Sequence, residues 1–224
     1  MFENPACVGR TTVARDLQVG TRRLQIREAI TEDVRGMCET LAEGTREAFS
    51  PLPGGEQWAP RLAVDTASRY QAIFTRVIYN SRSRNSDTRV FVAAADDDTV
   101  VGYLTYANLD DRTGQVSGWY LRKQYHGTGL AGKLMDAVRA CRGRRDVITS
   151  TTERTRAMAA YKKAGFVEDT SIALDDPRRE PPARWLEFGC PEFYTDGAGN
   201  LARDESGPIR VGRQIPLIMY YLKP

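Results

Sequence analysis

Hydrophobic and polar residues alternate along several short stretches of the chain and recur at helical spacing along others. The alternation at Leu24–Glu28 predicts a half-buried strand. Thr31 can cap the helix that follows, whose apolar residues fall on one face as far as Leu41. The helical spacing stops at the breaking segment that starts with Pro51 and resumes over Leu62–Asn80, which predicts a second helix.

The rest of the chain predicts mostly strands. Val90–Ala93 and Thr99–Tyr106 flank an acidic turn, an arrangement typical of an antiparallel pair. Four more strands are predicted at Gln115–Leu121, Val147–Ser150, Phe166–Leu174 and Ile215–Leu222. Together with two further amphipathic helices, these elements predict an α/β (α+β) sandwich around a mixed, mostly antiparallel, seven-stranded sheet.

Two segments lack this periodicity. Residues 1–20 are polar and are predicted to be an N-terminal extension, which leaves 21–224 as the folded domain. Residues 175–212 form an insertion before the last strand. A connection of this length without structure of its own is uncommon in a compact domain, so we expect a small subdomain there.

The composition is that of an ordinary globular domain, with 41% hydrophobic and 27% charged residues in 224. The net charge of +3 implies no large basic field, so no nucleic-acid partner is expected. Four cysteines without metal-ligand spacing and a single histidine argue against a metal site and favour reduced thiols. No signal peptide opens the chain and no apolar run approaches the ~18 residues of a membrane span, which favours a cytoplasmic protein without membrane contact.

The most specific chemistry lies in a glycine-rich loop. Gly127, Gly129 and Gly132 follow the strand that ends at Leu121 and lead into an amphipathic helix. Glycines let a phosphate approach the backbone closely, the free N–H groups at the start of a helix point at it, and the helix dipole favours negative charge. The loop therefore predicts a pyrophosphate ligand.

Two families of phosphate-binding loop share these residues. Gly127–Lys133 spells most of a P-loop, but the next residue, Leu134, lacks the hydroxyl that would hold magnesium. His126–Ala131 also resembles the Gln/Arg-x-x-Gly-x-Gly/Ala loop of the GNAT acyltransferase superfamily, in which Leu134 is a core residue. A second block, Arg154–Phe166, resembles that family's helix with a tyrosine ahead of a terminal Gly-Phe. Two blocks in this order favour the GNAT family.

The resemblance implies an N-acetyltransferase that moves an acetyl group from acetyl-CoA directly to a primary amine of a small molecule or peptide. In this family the loop amides hold the pyrophosphate and the pantetheine runs beside the fourth predicted strand. His126 replaces the usual Gln or Arg, so the permanent charge beside the phosphates is lost. The cofactor-binding residues implied are Tyr120, Leu121, His126, Gly127, Thr128, Gly129, Leu130, Ala131, Gly132 and Arg154.

The resemblance also implies the proton transfers. The family's general acid, which protonates the departing thiolate, maps to Tyr161. Many relatives place a glutamate base on the fourth strand, whereas Gln115–Gly118 contains no carboxylate, so Glu153, Glu28 or a water chain are the candidates. The second hypothesis is a CoA-binding regulatory or interaction module that has lost its base. The insertion 175–212 is expected to be an acceptor lid or a homodimer contact.

Overall fold

The computed structural model describes residues 15–19, 22–51, 55–82, 86–152, 156–168 and 217–222. Its strands are β1 (Arg15–Val19), β2 (Arg22–Glu28), β3 (Thr88–Ala95), β4 (Val100–Asn108), β5 (Thr113–Leu121), β6 (Asp146–Thr152), β7 (Val167–Glu168) and β8 (Leu217–Leu222). Its helices are α1 (Val34–Phe49), α2 (Gly55–Ser81), α3 (Leu130–Cys141) and α4 (Arg156–Lys163). Short 3-10 turns at Thr31–Asp33 and Lys123–Tyr125 lead toward α1 and α3.

The described strands form one sheet in the order β1-β2-β3-β4-β5-β6-β8-β7. Neighbouring strands are antiparallel except for β5 and β6, which are parallel. This confirms the predicted α/β class and the mixed, mostly antiparallel sheet, with one strand more than the seven expected. The predicted insertion 175–212 lies outside the described residues, between β7 and β8.

The additional strand is β1, which lies inside the predicted extension 1–20. Leu17 and Val19 are half-buried against the core, while Asp16 and Gln18 between them are exposed. β1 pairs antiparallel with β2 along its whole length, and the Arg23 guanidinium contacts the Asp16 carboxylate across the pair at 2.5 Å. Two apolar residues are too short a signal for the alternation to be recognised, so the prediction missed the strand. Residues 1–14 lie outside the described ranges.

Two other boundaries differ from the prediction. α2 begins at Gly55 instead of Leu62, and its buried residues Ala59, Leu62 and Ala63 show that the apolar face starts one turn earlier than predicted. β7 covers only Val167–Glu168 of the predicted strand Phe166–Leu174, and the remainder lies outside the described residues.

The helices pack on the two faces of the sheet in pairs. Along β3, Val90 and Val92 point to the core shared with α1 and α2, whereas Phe91 and Ala93 point to the core shared with α3 and α4. This alternation is the two-residue period of a strand buried on both faces.

α1 approaches the sheet unusually closely. A Cβ on Gly44 would lie 2.5 Å from the Tyr120 ring, and the Thr40 hydroxyl, one turn earlier, donates to the Val100 carbonyl oxygen at 3.2 Å. At the start of the helix, Arg27 contacts Asp33 through two hydrogen bonds of 2.6 and 2.9 Å. These contacts fix α1 at its start and against β4 and β5. The side chains on this part of α1 therefore lie beside the end of β5.

Candidate active site

A cleft opens along β5 because its pairing with β6 stops early. β5 pairs with β4 from Gly114 to Leu121, but its parallel pairing with β6 covers only Thr113–Gln115. Just beyond that pairing, the Thr149 hydroxyl donates to the Val116 carbonyl oxygen at 2.9 Å. Beyond this point no described strand pairs with this edge of β5, so among the described residues it is a free edge that presents backbone N–H and C=O groups to the cleft.

The predicted glycine loop follows at the open end of this cleft. Gly127 and Gly129 have φ angles of 78° and 84°, a left-handed conformation that favours glycine. A Cβ on Gly127, Gly129 or Gly132 would meet no atom within 4 Å, so that side of the loop is open. The Thr128 hydroxyl donates to the Tyr125 carbonyl oxygen at 2.7 Å and holds the loop in this shape.

The N-terminus of α3 faces the same opening. Gly129 precedes the helix and has no side chain to cap it. The amides of the first helical turn lack partners within the helix, and the helix dipole favours an anion there. The structure therefore brings together the predicted loop residues His126, Gly127, Thr128, Gly129, Leu130, Ala131 and Gly132. Leu134 is fully buried in the core, as the acyltransferase interpretation predicts. A P-loop needs a hydroxyl side chain at this position, and leucine has none.

Tyr120 and Leu121 end β5 on opposite faces of the sheet. The Tyr120 ring stacks on Tyr103 with centroids 5.5 Å apart and planes 27° apart, whereas Leu121 packs on the α3 side. The Leu121 carbonyl oxygen accepts a hydrogen bond from His126 Nε2 at 3.2 Å. Both side chains are used in packing, so a ligand along β5 would meet the backbone at these positions.

Tyr161 lies beside β5, in the core to which α3 also contributes. It is buried on α4, with its ring centroid 5.5 Å from that of Trp119 on β5 and 5.5 Å from that of Phe166. Gly165, with a φ of 88°, ends the helix, and the Phe166 N–H returns to the Tyr161 carbonyl oxygen at 3.0 Å. The Tyr161 ring therefore has a fixed place beside the free part of β5.

Glutamates recur every fourth residue along α1, at positions 39, 43 and 47, and contact the segment that leads from β5 to the glycine loop. Glu39 Oε2 lies 3.0 Å from Arg122 Nη2. Glu43 Oε1 accepts the backbone N–H of Lys123 at 2.8 Å. Glu39 and Glu43 therefore connect α1 to the segment just before the loop, and sequence spacing alone does not reveal these contacts because the partners are about eighty residues apart.

The last of these glutamates joins a three-residue cluster at the loop. Arg156 Nη1, at the start of α4, lies 2.8 Å from Glu47 Oε1 and 3.3 Å from His126 Nδ1. Glu47 Oε1 is 3.7 Å from the same ring nitrogen. Because His126 Nε2 already donates to Leu121, the pattern fits an imidazole whose Nδ1 accepts from Arg156. We call Glu47, His126 and Arg156 the His126 cluster.

At the other end of the free edge, β5 contains a bulge. The register with β4 shifts between Thr105 and Tyr106, which leaves Ser117 as an extra residue. The Ser117 and Thr105 hydroxyl oxygens lie 2.9 Å apart, and a Cβ on Gly118 would come within 2.9 Å of Thr105 Oγ1. Ser117 is exposed. Ser117 stands in the stretch where the family resemblance implies a glutamate, and its contact with Thr105 depends on the bulge, which the sequence does not reveal.

The candidate bases are not equally placed. Glu28 ends β2, where its carboxylate lies 3.2 Å from Arg89. Two strands separate β2 from β5, which amounts to roughly 14 Å at ~4.8 Å per strand spacing. Glu28 is therefore wrong as a base for this cleft. Glu153 and Arg154, which were also predicted, lie outside the described residues.

Burial raises the pKa of the Tyr103 phenol well above its ordinary value. Cys38 and Cys141 are half-buried thiols that form no disulfide with any described residue. Within the described ranges, no three His, Cys, Asp or Glu side chains come together as a metal site. None of the described helices is both long and apolar enough to cross a membrane.

Comparison with known proteins identifies sequence relatives. Residues 55–166 match the model of the family described as Acetyltransferase (GNAT) family. An aminoglycoside N(6')-acetyltransferase type 1 from Stenotrophomonas maltophilia is 30% identical over 111 residues, which cover 44% of this chain and 72% of that relative. An uncharacterized N-acetyltransferase from Mycobacterium tuberculosis is 37% identical over 82 residues, which cover 35% of this chain and 53% of the relative.

Solved structures share the fold. A PaiA N-acetyltransferase from Thermoplasma acidophilum, in complex with coenzyme A, superposes with a TM-score of 0.60 at 15% identity, covering 90% of this chain and 99% of that chain. A GNAT-family acetyltransferase from Staphylococcus aureus superposes with a TM-score of 0.54 at 15% identity, covering 89% and 98%. At this identity the similarity concerns the fold alone.

Proposed function

Because the chain belongs to the acetyltransferase (GNAT) family, we propose that it transfers the acetyl group of acetyl-CoA directly to the primary amine of a small molecule or peptide. The observation that carries this proposal is the open glycine loop at the N-terminus of α3, placed where the free edge of β5 ends. A pyrophosphate fits there because left-handed glycines leave the backbone amides accessible to an anion.

The loop residues 126–132 hold the phosphates in this proposal. The pantetheine then extends along β5 past Leu121 and Tyr120, whose side chains are occupied by packing and leave the backbone for the ligand. Arg154 is proposed as a further contact from the segment before α4. The thioester end of the cofactor reaches the part of β5 beside Tyr161, toward the bulge at Ser117.

Acetyl transfer requires two proton movements. The amine nitrogen forms a bond to the acetyl carbon, the carbon–sulfur bond breaks, and the departing thiolate takes a proton from the Tyr161 hydroxyl. The amine must also lose a proton, for which Glu153 or a water molecule is the proposed acceptor. The hydroxyl pair Ser117–Thr105 offers the attacking amine a hydrogen bond at the bulge.

The family suggests which amines should be tested as acceptors. The relative named for aminoglycosides makes these compounds the first amines to test, followed by polyamines and peptides with a free N-terminus. Release of CoA thiol is measured for each amine, and isothermal titration measures binding of acetyl-CoA and of ATP. We expect acetyl-CoA to bind, ATP not to bind, and at least one amine to release thiol.

One observation favours a second function. The bulge carries hydroxyls and no carboxylate within the described part of β5, as expected of a CoA-binding regulatory or interaction module. Binding of acetyl-CoA without thiol release for any amine would support that function, and absence of acetyl-CoA binding would contradict both.

The domain organisation of the chain is also a proposal. We propose a single acetyltransferase domain that includes β1 and therefore starts no later than Arg15, with 175–212 as an insertion that serves as acceptor lid or dimer contact. The cytoplasmic location expected from the sequence and the absence of a nucleic-acid partner remain predictions.

A further inference from the structure

The glycine loop carries an unusual charge arrangement. In the loop that this sequence resembles, a Gln or Arg stands at the position of His126, so the permanent cation that an Arg would place at the phosphates is absent here. The structure supplies a guanidinium from elsewhere in the chain. Arg156 Nη1 lies 3.3 Å from His126 Nδ1, although Arg156 belongs to α4 and is thirty residues further along.

Arg156 is placed to meet a ligand. Its side chain is 74% exposed, and its hydrogen bonds to described residues all use Nη1. Arginine has five N–H donors in a planar fork, so the donors on Nε and Nη2 are available to an anion. A phosphate on the loop would lie beside this fork, because His126 is the first residue of the loop.

Glu47 competes for the same guanidinium. Its carboxylate lies 2.8 Å from Arg156 Nη1 and is 20% exposed. Glu47 sits on α1, which packs on the opposite face of the sheet from α4. The ion pair therefore bridges the two faces at the open end of the cleft between β5 and β6. An ion pair with one exposed partner contributes little stability, so an incoming anion can displace it.

We infer that Arg156 binds a phosphate of CoA and that Glu47 competes for the same guanidinium. The Glu47 carboxylate pairs with the guanidinium when the site is empty, and a phosphate of CoA replaces the carboxylate on binding. The inference rests on the proposed function. A guanidinium binds phosphate through paired, charge-assisted hydrogen bonds. α4 would thereby supply the cation that the loop lacks at His126.

The exchange predicts opposite effects for the two partners. In Arg156→Gln the phosphate contact is lost, so CoA affinity should fall by roughly tenfold to a hundredfold, as expected for a hydrogen bond to a charged group. In Glu47→Gln the competing carboxylate is removed, so CoA affinity should rise by about twofold to fivefold. The double variant should bind more like Arg156→Gln than like Glu47→Gln, because it also lacks the guanidinium that contacts the phosphate. Arg156→Lys should fall between the wild type and Arg156→Gln, since it keeps the charge without the fork.

A second ion pair, formed by another residue of α4, provides the control. Lys162 and Glu168 lie 3.7 Å apart near the other end of α4, and the lysine is 58% exposed. Lys162→Gln removes one charge from α4, as Arg156→Gln does, and should leave CoA affinity unchanged. Thermal unfolding of every variant checks that the fold is retained, and CoA titrations at two salt concentrations should show a weaker salt dependence for Arg156→Gln than for the wild type.

The outcomes separate three interpretations. Opposite changes for Arg156→Gln and Glu47→Gln support the exchange. Unchanged affinity in Arg156→Gln, or equal weakening in both variants, overturns it and assigns the pair to structural bridging between α1 and α4. If the wild type binds no acetyl-CoA, the proposed function and this inference fail together. If the wild type binds and Gly129→Glu abolishes binding while Arg156→Gln does not alter it, this inference alone fails.

Discussion

The two ends of the free edge of β5 are built from different parts of the polypeptide. At the loop end, the proposed binding groups are backbone amides presented by left-handed glycines and the first turn of α3. At the bulge end, the groups are the side-chain hydroxyls of Ser117 and Thr105. A backbone site tolerates many side chains, whereas a side-chain site changes its chemistry with one substitution. The loop end therefore carries the proposed contacts to the cofactor, and the bulge end is where acceptor preference and proton transfer are expected to vary.

The largest expected effect tests the loop end. Gly129→Glu places a side chain and a negative charge where the pyrophosphate approaches, at a φ of 84° that disfavours any residue but glycine. Acetyl-CoA binding should be lost, as measured by isothermal titration. Lys133→Ala, one turn into the same helix and half-exposed, is the control and should bind normally. Unchanged affinity in a folded Gly129→Glu variant would remove the loop from the site.

The next largest effect tests the group between the two ends. Tyr161→Phe keeps the ring that packs against Trp119 and Phe166 and removes the hydroxyl proton. If Tyr161 is the general acid, kcat should fall by roughly 10²–10⁴-fold while acetyl-CoA affinity remains nearly constant. A kcat within about twofold of wild type would assign Tyr161 to packing alone.

The same contrast explains what the sequence could predict. Periodicity predicted most of the strands and the helices, because the spacing of the apolar residues within each element shows which of its faces is buried. The glycine loop was predicted for the same reason, since its seven residues are contiguous and their conformation is local. β1 was not predicted because its only apolar residues on the core side are Leu17 and Val19. The start of α2 was not predicted because its first turn overlaps the helix-breaking segment that begins at Pro51.

The residues that sequence reasoning did not find are joined through space. Glu47 and Arg156 are 109 positions apart, and their contact depends on where α1 and α4 lie relative to the cleft. The contact between Ser117 and Thr105 depends on a register shift between β4 and β5, which the alternation of apolar residues does not encode. Glu28 was wrong as a base because two strands, β3 and β4, separate its strand from β5. Tertiary geometry, not local propensity, decides all three.

A third prediction concerns the segment that would cover the bulge end. Replacing residues 178–210 with a short Gly-Ser linker should raise KM for the amine by roughly tenfold if the insertion is an acceptor lid, because substrate-positioning contacts would be lost. Acetyl-CoA affinity should stay constant because the loop end is untouched. Unchanged acceptor kinetics with a sedimentation coefficient that falls from dimer to monomer would make the segment an interface instead.

The smallest expected effect tests the bulge end itself. Ser117→Ala removes an exposed hydroxyl that lies 2.9 Å from Thr105 Oγ1 and is proposed to hydrogen-bond the attacking amine. A single hydrogen bond of this kind contributes about 0.5–1.5 kcal/mol, so kcat/KM for the amine should fall by roughly twofold to tenfold. Acetyl-CoA affinity should not change. Thr75→Ala removes an exposed hydroxyl on α2, where it donates to the Gln71 carbonyl oxygen, and should leave both quantities at wild-type values. A loss of acetyl-CoA affinity in Ser117→Ala would extend the cofactor site to the bulge and remove the distinction between the two ends.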